Sequence, residues 1–310
     1  MTTLYESLSW RRLSIPADSA TGAVDIRVGE GGDAGPTAFL CAGVHGDEGP
    51  WGGLALREVL ALPRTRLTGR ICVVLAANPL AAQADARNAP LDGLDLNRSF
   101  PGSSQGSHTE HLAATLAPLI AASDVVVDLH GGGSWCVNAF VFRFKGSEAL
   151  AAQVAAPFVV DVPEKEGTLT QYAKSHGAQV VAIEMGGRSR DELLWKERIA
   201  SSVARVLSHM GVLAADPAAR TPLPALAVGP STVLRPERGG VFVPTLREDA
   251  VGTVVEEGTE LGRLCDLHTL EHLQTFTAPF PKTALLLLRP HIGVIEGGAM
   301  TYVVAEPKLK

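Results

Sequence analysis

Apolar segments and segments of helical periodicity take turns between residues 37 and 211, and this alternation restricts the possible folds more than any other feature. Such an order predicts an α/β fold in which a mixed, mostly parallel sheet carries helices on both faces. The apolar runs predict strands at 37–44, 70–77, 124–129, 136–144, 158–161 and 179–184. The segments between them predict helices at 49–62, 108–121, 147–156, 168–176 and 190–210.

The two ends of the chain depart from this alternation. Apolar and polar residues alternate around residues 24–28, which indicates an antiparallel edge strand. After Asp216 a proline-rich linker leads into a segment rich in glycine, valine and leucine, which is typical of short strands and tight turns. We therefore expect an α/β domain at residues 1–216 and a small β domain at residues 217–310.

The distribution of charge and of apolar residues argues against two classes of partner, nucleic acid and membranes. The 27 basic and 33 acidic residues are spread along the chain and leave a net charge of −6, so no basic stripe indicates nucleic acid. The most apolar run, residues 284–288, is far too short to span a bilayer, and the N-terminus lacks the continuous apolar segment of a secretory signal. We expect neither a nucleic-acid nor a membrane partner. The oligomeric state stays open, and a homo-oligomer is compatible with this sequence.

The four cysteines, Cys41, Cys72, Cys136 and Cys265, are scattered and lack Cys-x-x-Cys spacing. Their apolar, strand-like surroundings indicate small core residues and argue against a disulfide framework or a zinc knuckle. This usage is typical of a reducing compartment, and we expect the protein to be cytoplasmic.

Two of the predicted strands lead into a histidine. His45 follows the strand at 37–44 and begins the run His-Gly-Asp-Glu, so that Glu48 lies three residues further on. His130 follows the strand at 124–129 and precedes three glycines. Because ligands bind at the carboxyl ends of parallel strands, these three side chains can meet at one edge of the sheet. Two histidines and one glutamate are a common ligand set of a hydrolytic zinc that keeps its fourth position for water, whereas the simpler interpretation is a turn that only caps a helix.

A loop-like stretch between the two ligand segments contains Arg87 and Arg98 and is interrupted by prolines. Because it follows a strand, it should lie over the same edge of the sheet. The guanidinium of Arg98 suits a planar carboxylate because it donates two parallel hydrogen bonds, and the adjacent Asn97 adds a neutral donor. The alternative is that Arg98 forms a structural ion pair with Asp92 or Asp95.

Glu184 ends the strand at 179–184 and is followed by a methionine and two glycines. A carboxylate at the end of a buried strand is costly unless it has a charged partner or a chemical task. Beside a zinc-activated water it can act as general base and then return the proton to the leaving amine. Its other interpretations are a metal ligand or a partner of Arg188 or Arg190.

These segments, in this order, resemble the succinylglutamate desuccinylase/aspartoacylase family of the zinc carboxypeptidase clan. The matching segments lie between about residues 37 and 190 and are His45-Gly-Asp-Glu48, Asn78-Pro79 with Arg87, Asp95-Leu-Asn-Arg-Ser-Phe-Pro-Gly102, Asp128-Leu-His130-Gly131 and Ile183-Glu184-Met-Gly186. A small β domain after the catalytic domain is also what the family carries. The resemblance implies one zinc ion per chain, bound by His45, Glu48 and His130, with Glu184 as the acid/base residue.

The resemblance also implies roles for the loop between the ligand segments. Arg87 would polarise the scissile carbonyl, and Asn97 with Arg98 would hold the carboxylate of the substrate. The segment between Arg87 and Asn97 looks longer than in aspartoacylase, and in this respect the chain is more similar to the bacterial branch near the N-acetyl-diaminobutyrate deacetylases.

Two further pairs of histidines lie outside this ligand set. His268-Thr-Leu-Glu-His272 matches the pattern of the inverted zinc proteases, but that motif needs a long helix and a downstream acidic ligand, and here it lies in the β-rich tail. We interpret it as a surface or interface cluster. His108 and His111 lie at the start of a predicted helix that Ser107 or Thr109 can cap, and we expect a solvated first turn there.

The leading hypothesis is a zinc amidohydrolase that removes an acyl group from the nitrogen of a small amino acid or related amine. The alternative enzyme is a metallocarboxypeptidase that trims peptides with the same metal chemistry in a more open cleft. A small β domain that covers the active-site side would exclude long peptides and so favour the first. A third hypothesis is a non-catalytic binding module, since the rhythm of residues 251–264 is similar to that of lipoyl-type half-barrels. No lysine stands at a hairpin tip there to be modified, and the ligand set together with Glu184 counts against an inactive scaffold.

Overall fold

The computed structural model describes residues 2–15, 23–48, 50–162, 165–188, 191–218 and 220–308. Within these ranges the helices are α1 (Leu4–Ser7), α2 (Trp51–Val59), α3 (Pro79–Gln83), α4 (His108–Ala121), α5 (Glu148–Ala151), α6 (Leu169–Ser175) and α7 (Glu192–His209). Short 3-10 helices lie at Gly46–Glu48, Arg64–Arg66, Leu96–Arg98 and Glu248–Ala250. None of the helices in the described ranges is long and apolar enough to cross a membrane.

The strands of the first two thirds of the chain are β1 (Ser9–Ile15), β2 (Val24–Gly32), β3 (Thr37–Ala42), β4 (Arg70–Val74), β5 (Val125–His130), β6 (Val137–Arg143), β7 (Phe158–Asp161) and β8 (Gln179–Gly187). Those of the C-terminal region are β9 (Leu226–Ala227), β10 (Thr232–Leu234), β11 (Gly240–Pro244), β12 (Val254–Glu256), β13 (Glu260–Cys265), β14 (His272–Thr277), β15 (Lys282–Leu288), β16 (Gly293–Ile295) and β17 (Tyr302–Ala305). Within the described residues, 13 strands form one large sheet and 4 form a second sheet.

The centre of the large sheet is parallel. Its order runs β1-β2-β4-β3-β5-β8-β6, and β4, β3, β5 and β8 are parallel neighbours. On one side β6 runs antiparallel to β8, and on the other β2 runs antiparallel to β4. The predicted α/β architecture with a mixed, mostly parallel central sheet is confirmed. The strand predicted around residues 24–28 is antiparallel as expected, but β1 pairs with its outer side, so β1 and not β2 is the edge.

Helices cover both faces of this sheet. Successive residues of β3 point to opposite sides, so that Leu40 packs in the apolar cluster of α2 and α7, and Phe39 packs in that of α4 and α6. Both side chains are fully buried. A strand that is apolar at successive positions needs cover on both faces, which explains why the helices divide between them.

Helix bounds agree with the sequence pattern to different degrees. Helix α4 has the predicted bounds 108–121, whereas α5 is shorter than the predicted 147–156. Helix α3 falls in a stretch predicted to be loop-like. A proline can start a helix as well as interrupt one, and Asn78 caps α3 by accepting a hydrogen bond from the N–H of Ala81 at 3.3 Å. The first residues of two predicted helices, 49 and 190, lie outside the described residues.

The C-terminal region continues the large sheet. Strand β15 pairs with β6, with Leu287 opposite Asn138 and Leu288 opposite Val137. Strands β17 and β10 follow β15 in the same sheet, while β14, β13, β11 and β16 form the second sheet. The expected β-rich C-terminal region is present, and a division into two domains at residue 216 stays a prediction.

The four cysteines are free thiols. Cys41, Cys72 and Cys136 are buried, and Cys265 is half-buried in β13. Burial raises the pKa of the Cys72 thiol to about 12, so this group stays protonated and behaves as a small apolar side chain.

Candidate metal centre and active site

The three predicted ligands lie at the carboxyl ends of two neighbouring strands. His45 follows β3, Glu48 ends the 3-10 helix just after it, and His130 is the last residue of β5. Strands β3 and β5 are parallel neighbours, so their carboxyl ends meet at one edge of the sheet. All three side chains are buried, with exposed fractions of 3% for His45, 9% for Glu48 and 5% for His130.

One carboxylate joins the two imidazoles. Glu48 Oε1 lies 2.5 Å from His45 Nδ1, and Glu48 Oε2 lies 2.9 Å from His130 Nδ1. Ligand atoms of these residues lie within 4.8 Å of one another, and the described part of the chain holds no other such group of His, Cys, Asp and Glu residues. Two imidazole nitrogens and a carboxylate are a donor set of zinc sites that keep one open position. These residues therefore fit zinc.

Each histidine has a further carboxylate at its other ring nitrogen. His45 Nε2 lies 3.0 Å from Asp95 Oδ1, and His130 Nε2 lies 2.9 Å from Asp128 Oδ2. The hydrogen-bonded partner of His45, Asp95, fixes the orientation of that ring and the nitrogen that carries the proton, which leaves Nδ1 for a metal. The sequence predicts neither role, although both residues belong to the segments that match the family. A local signal exists for Asp128, because it lies two residues before His130 on β5 and so faces the same side.

The charges of this group favour a cation. Burial alone would lower the pKa of His130, but Asp128 and Glu48 outweigh burial and raise that pKa well above its ordinary value. Burial also opposes a charge on Glu48, and the two neighbouring imidazoles overcome it and lower the pKa of that carboxyl. Protons on the imidazoles balance the carboxylates here, and metal binding at such a site releases protons.

Arg87 reaches the metal group from the loop after α3. Its Nη2 atom donates to Asp95 Oδ2 at 2.9 Å, and its Nη1 atom lies 3.6 Å from Glu48 Oε1. The side chain is 46% exposed, so part of the guanidinium is accessible to a substrate. This position is compatible with polarising a carbonyl beside the metal, which stays a prediction for Arg87.

Asn97 lies between α6 and the predicted metal group. Its Oδ1 accepts a hydrogen bond from the N–H of Leu169, the first residue of α6, at 2.9 Å. Its Nδ2 lies 3.3 Å from His130 Nε2. Asn97 therefore links α6 to a predicted metal ligand, in addition to its predicted contact with the substrate.

Arg98 lines the same cavity as the metal group and donates to the carbonyl oxygen of the preceding residue at 2.5 Å. The alternative ion pair with Asp92 or Asp95 is not seen among the described residues. Asp95 accepts from Arg87 instead, and Asp92 accepts from the N–H and the hydroxyl of Thr109. The role of Arg98 as a carboxylate clamp stays a prediction.

Glu184 lies beside His130, because β8 pairs with β5 and places the two residues opposite each other. It is outside the ligand group. Burial raises the pKa of Glu184, which is the direction expected of a general base that works near neutral pH. Of its predicted alternative partners, Arg188 pairs with Asp85, and Arg190 lies outside the described residues.

Asn138 is a site residue that the sequence patterns did not identify. It lies on β6, is 5% exposed, and its Nδ2 atom donates to Glu184 Oε2 at 2.9 Å. An N–H donor at this place orients the carboxylate and favours its charged form. The available signal was a single asparagine within the apolar run 136–144, because a buried amide needs a polar partner.

The predicted site residues share one cavity of about 580 Å³. Those that line it are His45, Glu48, Arg87, Asn97, Arg98, His130 and Glu184. The C-terminal region adds Leu287 and Met300 to the wall. Their proximity supports the predicted set as a group, and the individual roles stay predictions.

Residues 34–211 match the family model of the succinylglutamate desuccinylase/aspartoacylase catalytic domain, which is more than half of the chain. The chain belongs to this family. The resemblance inferred from the motifs is thus confirmed, and the matched region contains both ligand strands and Glu184.

Relatives within the family are similar over different lengths. The N-alpha-acetyl-L-2,4-diaminobutyric acid deacetylase of Halomonas elongata is 36% identical over 191 residues, which are 55% of this chain and 54% of the relative. The match therefore spans about half the length of that relative. The crystal structure of a succinylglutamate desuccinylase from Silicibacter sp. TM1040 has a TM-score of 0.84 at 27% identity and covers 97% of this chain and 95% of its own. The product-bound ectoine utilization protein EutE from Ruegeria pomeroyi has a TM-score of 0.82 at 27% identity, with coverages of 96% and 95%.

His268 and His272 of this family member are exposed, in a turn and at the start of β14. The ring nitrogen Nε2 of His272 lies 2.8 Å from the hydroxyl of Thr275. Neither histidine belongs to a potential metal group in the described ranges, in agreement with a surface cluster.

The prediction of a solvated first turn at His108 is wrong. His108 is 8% exposed, and neither ring nitrogen has a hydrogen-bond partner in the described structure. The reason is tertiary, because the loop that carries Asp92 lies over this turn and accepts a hydrogen bond from the N–H of Thr109 at 2.8 Å. Burial lowers the pKa of His108 and so favours the neutral ring. Ser107, one of the two residues predicted as candidates to cap this helix, is its N-cap residue.

Proposed function

We propose that this protein is a zinc-dependent amidohydrolase that removes an acyl group from the nitrogen of a small amino acid or related amine. The observation that carries the proposal is the arrangement of four side chains within one cavity. His45, Glu48 and His130 form a ligand group, and Glu184 lies beside that group without belonging to it. The names of the relatives, a deacetylase and a desuccinylase, support the same class of reaction.

A zinc ion held by these three residues, one per chain, would supply Lewis acidity toward the amide carbonyl and a water of lowered pKa. Glu184 accepts the proton of the attacking water as general base. When the C–N bond breaks, the same carboxyl group returns the proton to the leaving amine nitrogen, so that the proton count balances. Asn138 holds the carboxylate of Glu184 through both transfers by its hydrogen bond.

Three side chains orient the substrate in this proposal. Arg87, beside Glu48, holds the carbonyl oxygen of the scissile amide. Arg98 holds the carboxylate of the amino acid through paired N–H donors, and Asn97 adds a neutral donor. All three line the cavity, which supports their assignment.

A metallocarboxypeptidase would use the same chemistry on peptides. Leu287 and Met300 of the C-terminal region form part of the cavity wall, and this cover on the active-site side favours a small substrate over a peptide chain. We therefore retain the deacylase. The cytoplasmic location and the homo-oligomer stay predictions from the sequence.

The test is to incubate the zinc-loaded protein with N-acyl amino acids and with tripeptides that end in the same amino acids, and to quantify the released amine. We expect amine from the N-acyl amino acids and little from the tripeptides. Equally fast release of C-terminal residues from tripeptides would favour the carboxypeptidase. No release from any N-acyl amino acid would contradict the proposal.

A further inference from the structure

The cavity extends past Glu184 into a compartment with apolar walls. On β8, Ala182 lies two residues before Glu184 and therefore faces the same side of the sheet. Phe142 lies opposite Ala182 on β6, and both residues line the cavity. Phe144 and Val162 line it as well, and the ring centroids of Phe142 and Phe144 are 6.5 Å apart. These four residues, Phe142, Phe144, Val162 and Ala182, form the apolar compartment.

The cavity also joins this compartment to Arg98. Gly167 packs so closely on Arg98 that a Cβ atom there would lie 2.5 Å from the Arg98 carbonyl oxygen, and the next residue, Thr168, lines the cavity. In the proposed function Arg98 holds the carboxylate of the amino-acid half of the substrate. The carboxylate and the side chain of an amino acid branch from one carbon atom. A compartment in the same cavity as Arg98 is therefore available to that side chain.

Glu184 borders this compartment on β8, but its carboxylate is held by Asn138 and is used for proton transfer in the proposed function, so it does not serve as a counter-ion to a cationic side chain. The carboxylates that line the cavity belong to the ligand group or to its immediate neighbours, and they are Asp47, Glu48, Asp128 and Glu184. The other charged residues of the described lining are the cations Arg87, Arg98 and Lys165. A positively charged substrate side chain would leave water for apolar walls and like charges, which is unfavourable.

The hydroxyl groups of Thr168 and Thr170, which line the same cavity, already have partners. Thr168 Oγ1 donates to the carbonyl oxygen of Lys165 at 2.9 Å and accepts from the N–H of Gln171 at 3.2 Å. Thr170 Oγ1 lies 3.4 Å from Thr168 Oγ1. Since these hydroxyls bond to the protein, they do not require a polar side chain on the substrate.

We propose that the amine half of the substrate carries an apolar side chain of the size of leucine, methionine or phenylalanine. The inference rests on the proposed function and narrows its substrate class. It departs from the substrate named for the Halomonas elongata relative, a diaminobutyric acid derivative whose side chain bears an amino group. The driving force is burial of apolar surface against Phe142, Phe144, Val162 and Ala182.

The first experiment needs only the wild-type protein with zinc. It compares kcat/KM for the N-acetyl derivatives of glycine, leucine, phenylalanine, glutamate and 2,4-diaminobutyrate. We expect the leucine or phenylalanine derivative to exceed the glycine and diaminobutyrate derivatives at least tenfold, since one methylene group in an apolar pocket changes kcat/KM by about 10- to 200-fold. A preference for diaminobutyrate or glutamate would overturn the inference and leave the proposed function intact. Release of no amine from any derivative would overturn the proposed function, and this inference with it.

The second experiment changes the compartment itself. Ala182→Leu fills it from the sheet, and we expect the ratio of kcat/KM for the phenylalanine derivative to that for the glycine derivative to fall at least about tenfold. Phe142→Leu removes a ring from the wall and should lower the same ratio by a smaller factor. The matched control is Phe158→Leu, the same change at a buried residue of β7 that does not line the cavity.

A ratio of two substrates measured on one sample does not depend on the folded fraction of a variant. An unchanged ratio in Ala182→Leu would overturn the inference. An equal fall of this ratio in Phe158→Leu would also overturn the inference, because the effect would then come from the sheet as a whole and not from the compartment.

Discussion

Glu48 is the side chain that holds the candidate metal centre together. Its two carboxylate oxygens contact Nδ1 of both histidines, and each histidine has a further carboxylate at Nε2. Each imidazole thus has a carboxylate oxygen within 3.0 Å of both ring nitrogens. At the scale of single residues, the proposed function assigns metal binding to His45, Glu48 and His130 and proton transfer to Glu184, which lies outside that group.

His130→Ala removes one nitrogen donor and leaves Glu48 Oε2 without its imidazole partner. We expect the wild type to carry about one zinc per chain and the variant to lose most of it, because three protein ligands are the usual minimum of a catalytic zinc site. Elemental analysis of both proteins after dialysis measures this. His272→Ala, which removes an exposed imidazole at the start of β14, should retain its zinc. One zinc per chain in His130→Ala would contradict the prediction and indicate that the metal site lies elsewhere.

Glu184→Gln keeps the size of the side chain and removes its proton-accepting charge. We expect kcat to fall by roughly 10²–10⁴, the range of general acid–base catalysis, while zinc content and thermal stability stay nearly unchanged. The acidic limb of the pH–rate profile should weaken, because a base must be ionised and loses activity as the pH falls through its pKa. Turnover close to wild type would contradict the mechanism. Loss of zinc would instead make Glu184 a ligand.

Arg98→Lys keeps the positive charge but loses the planar fork that binds a carboxylate with two hydrogen bonds. On a substrate with a free carboxylate, transition-state stabilisation should fall by roughly 2–4 kcal/mol in kcat/KM. With the carboxylate amidated, wild type and variant should differ little. If both substrates are impaired equally, Arg98 has a structural role.

Among the secondary-structure elements, the 3-10 helix Gly46–Glu48 sets the position of the predicted metal ligand Glu48, because this helix packs directly on α3. A Cβ atom at Gly46 would lie 1.9 Å from the carbonyl carbon of Ala81. The N–H of Gly46 also donates to the carbonyl oxygen of Arg87 at 3.4 Å. This position therefore requires glycine for the close approach of two backbone segments.

Gly46→Ala should push the ligand turn away from α3. We expect a loss of about 1–3 kcal/mol in the free energy of unfolding, as for other overpacked sites, together with weaker zinc binding. Thermal unfolding and zinc competition with a chelator measure the two effects. Gly293→Ala is the matched control, because nothing lies within 4 Å of its Cβ position and the change should be tolerated. If both variants show the same thermal stability and the same zinc affinity, the Gly46–Glu48 turn can relax to accept a side chain, and the prediction is wrong.

The whole molecule is built around a sheet that runs from the N-terminal hairpin into the C-terminal region. Strand β15 contributes buried leucines to this sheet and pairs with β6, the strand that carries Asn138. Leu287 at the end of β15 lines the cavity. The C-terminal region thus belongs both to the core and to the site.

A chain that ends at residue 216 would expose the part of the β6 edge at residues 137 and 138, which pairs with β15, and the apolar surface that β15 covers. We expect this truncated chain to lack a cooperative thermal transition and to aggregate, because an open apolar strand edge pairs with other chains. Circular dichroism and light scattering measure this. A soluble fragment that unfolds cooperatively and binds zinc would show that residues 1–216 fold on their own.

The sequence by itself determined the α/β class, the bounds of α4 and the grouping of His45, Glu48 and His130. These are local properties, since an apolar run defines a strand, and parallel strands bring their carboxyl ends to one edge whatever connects them. The Glu184 position was predictable for the same reason, as it follows from another strand of the same sheet.

Only the tertiary structure decided which distant residues contact these side chains and hold them in place. Asp95 is 50 residues from His45, and Asn138 is 46 residues from Glu184. The burial of His108 likewise depends on a loop that folds over its helix from a distance along the chain. The pattern of apolar and polar residues records how each segment faces the core, but not which loop covers it. That choice is made by packing and by hydrogen bonds between distant segments, which have no periodicity along the chain.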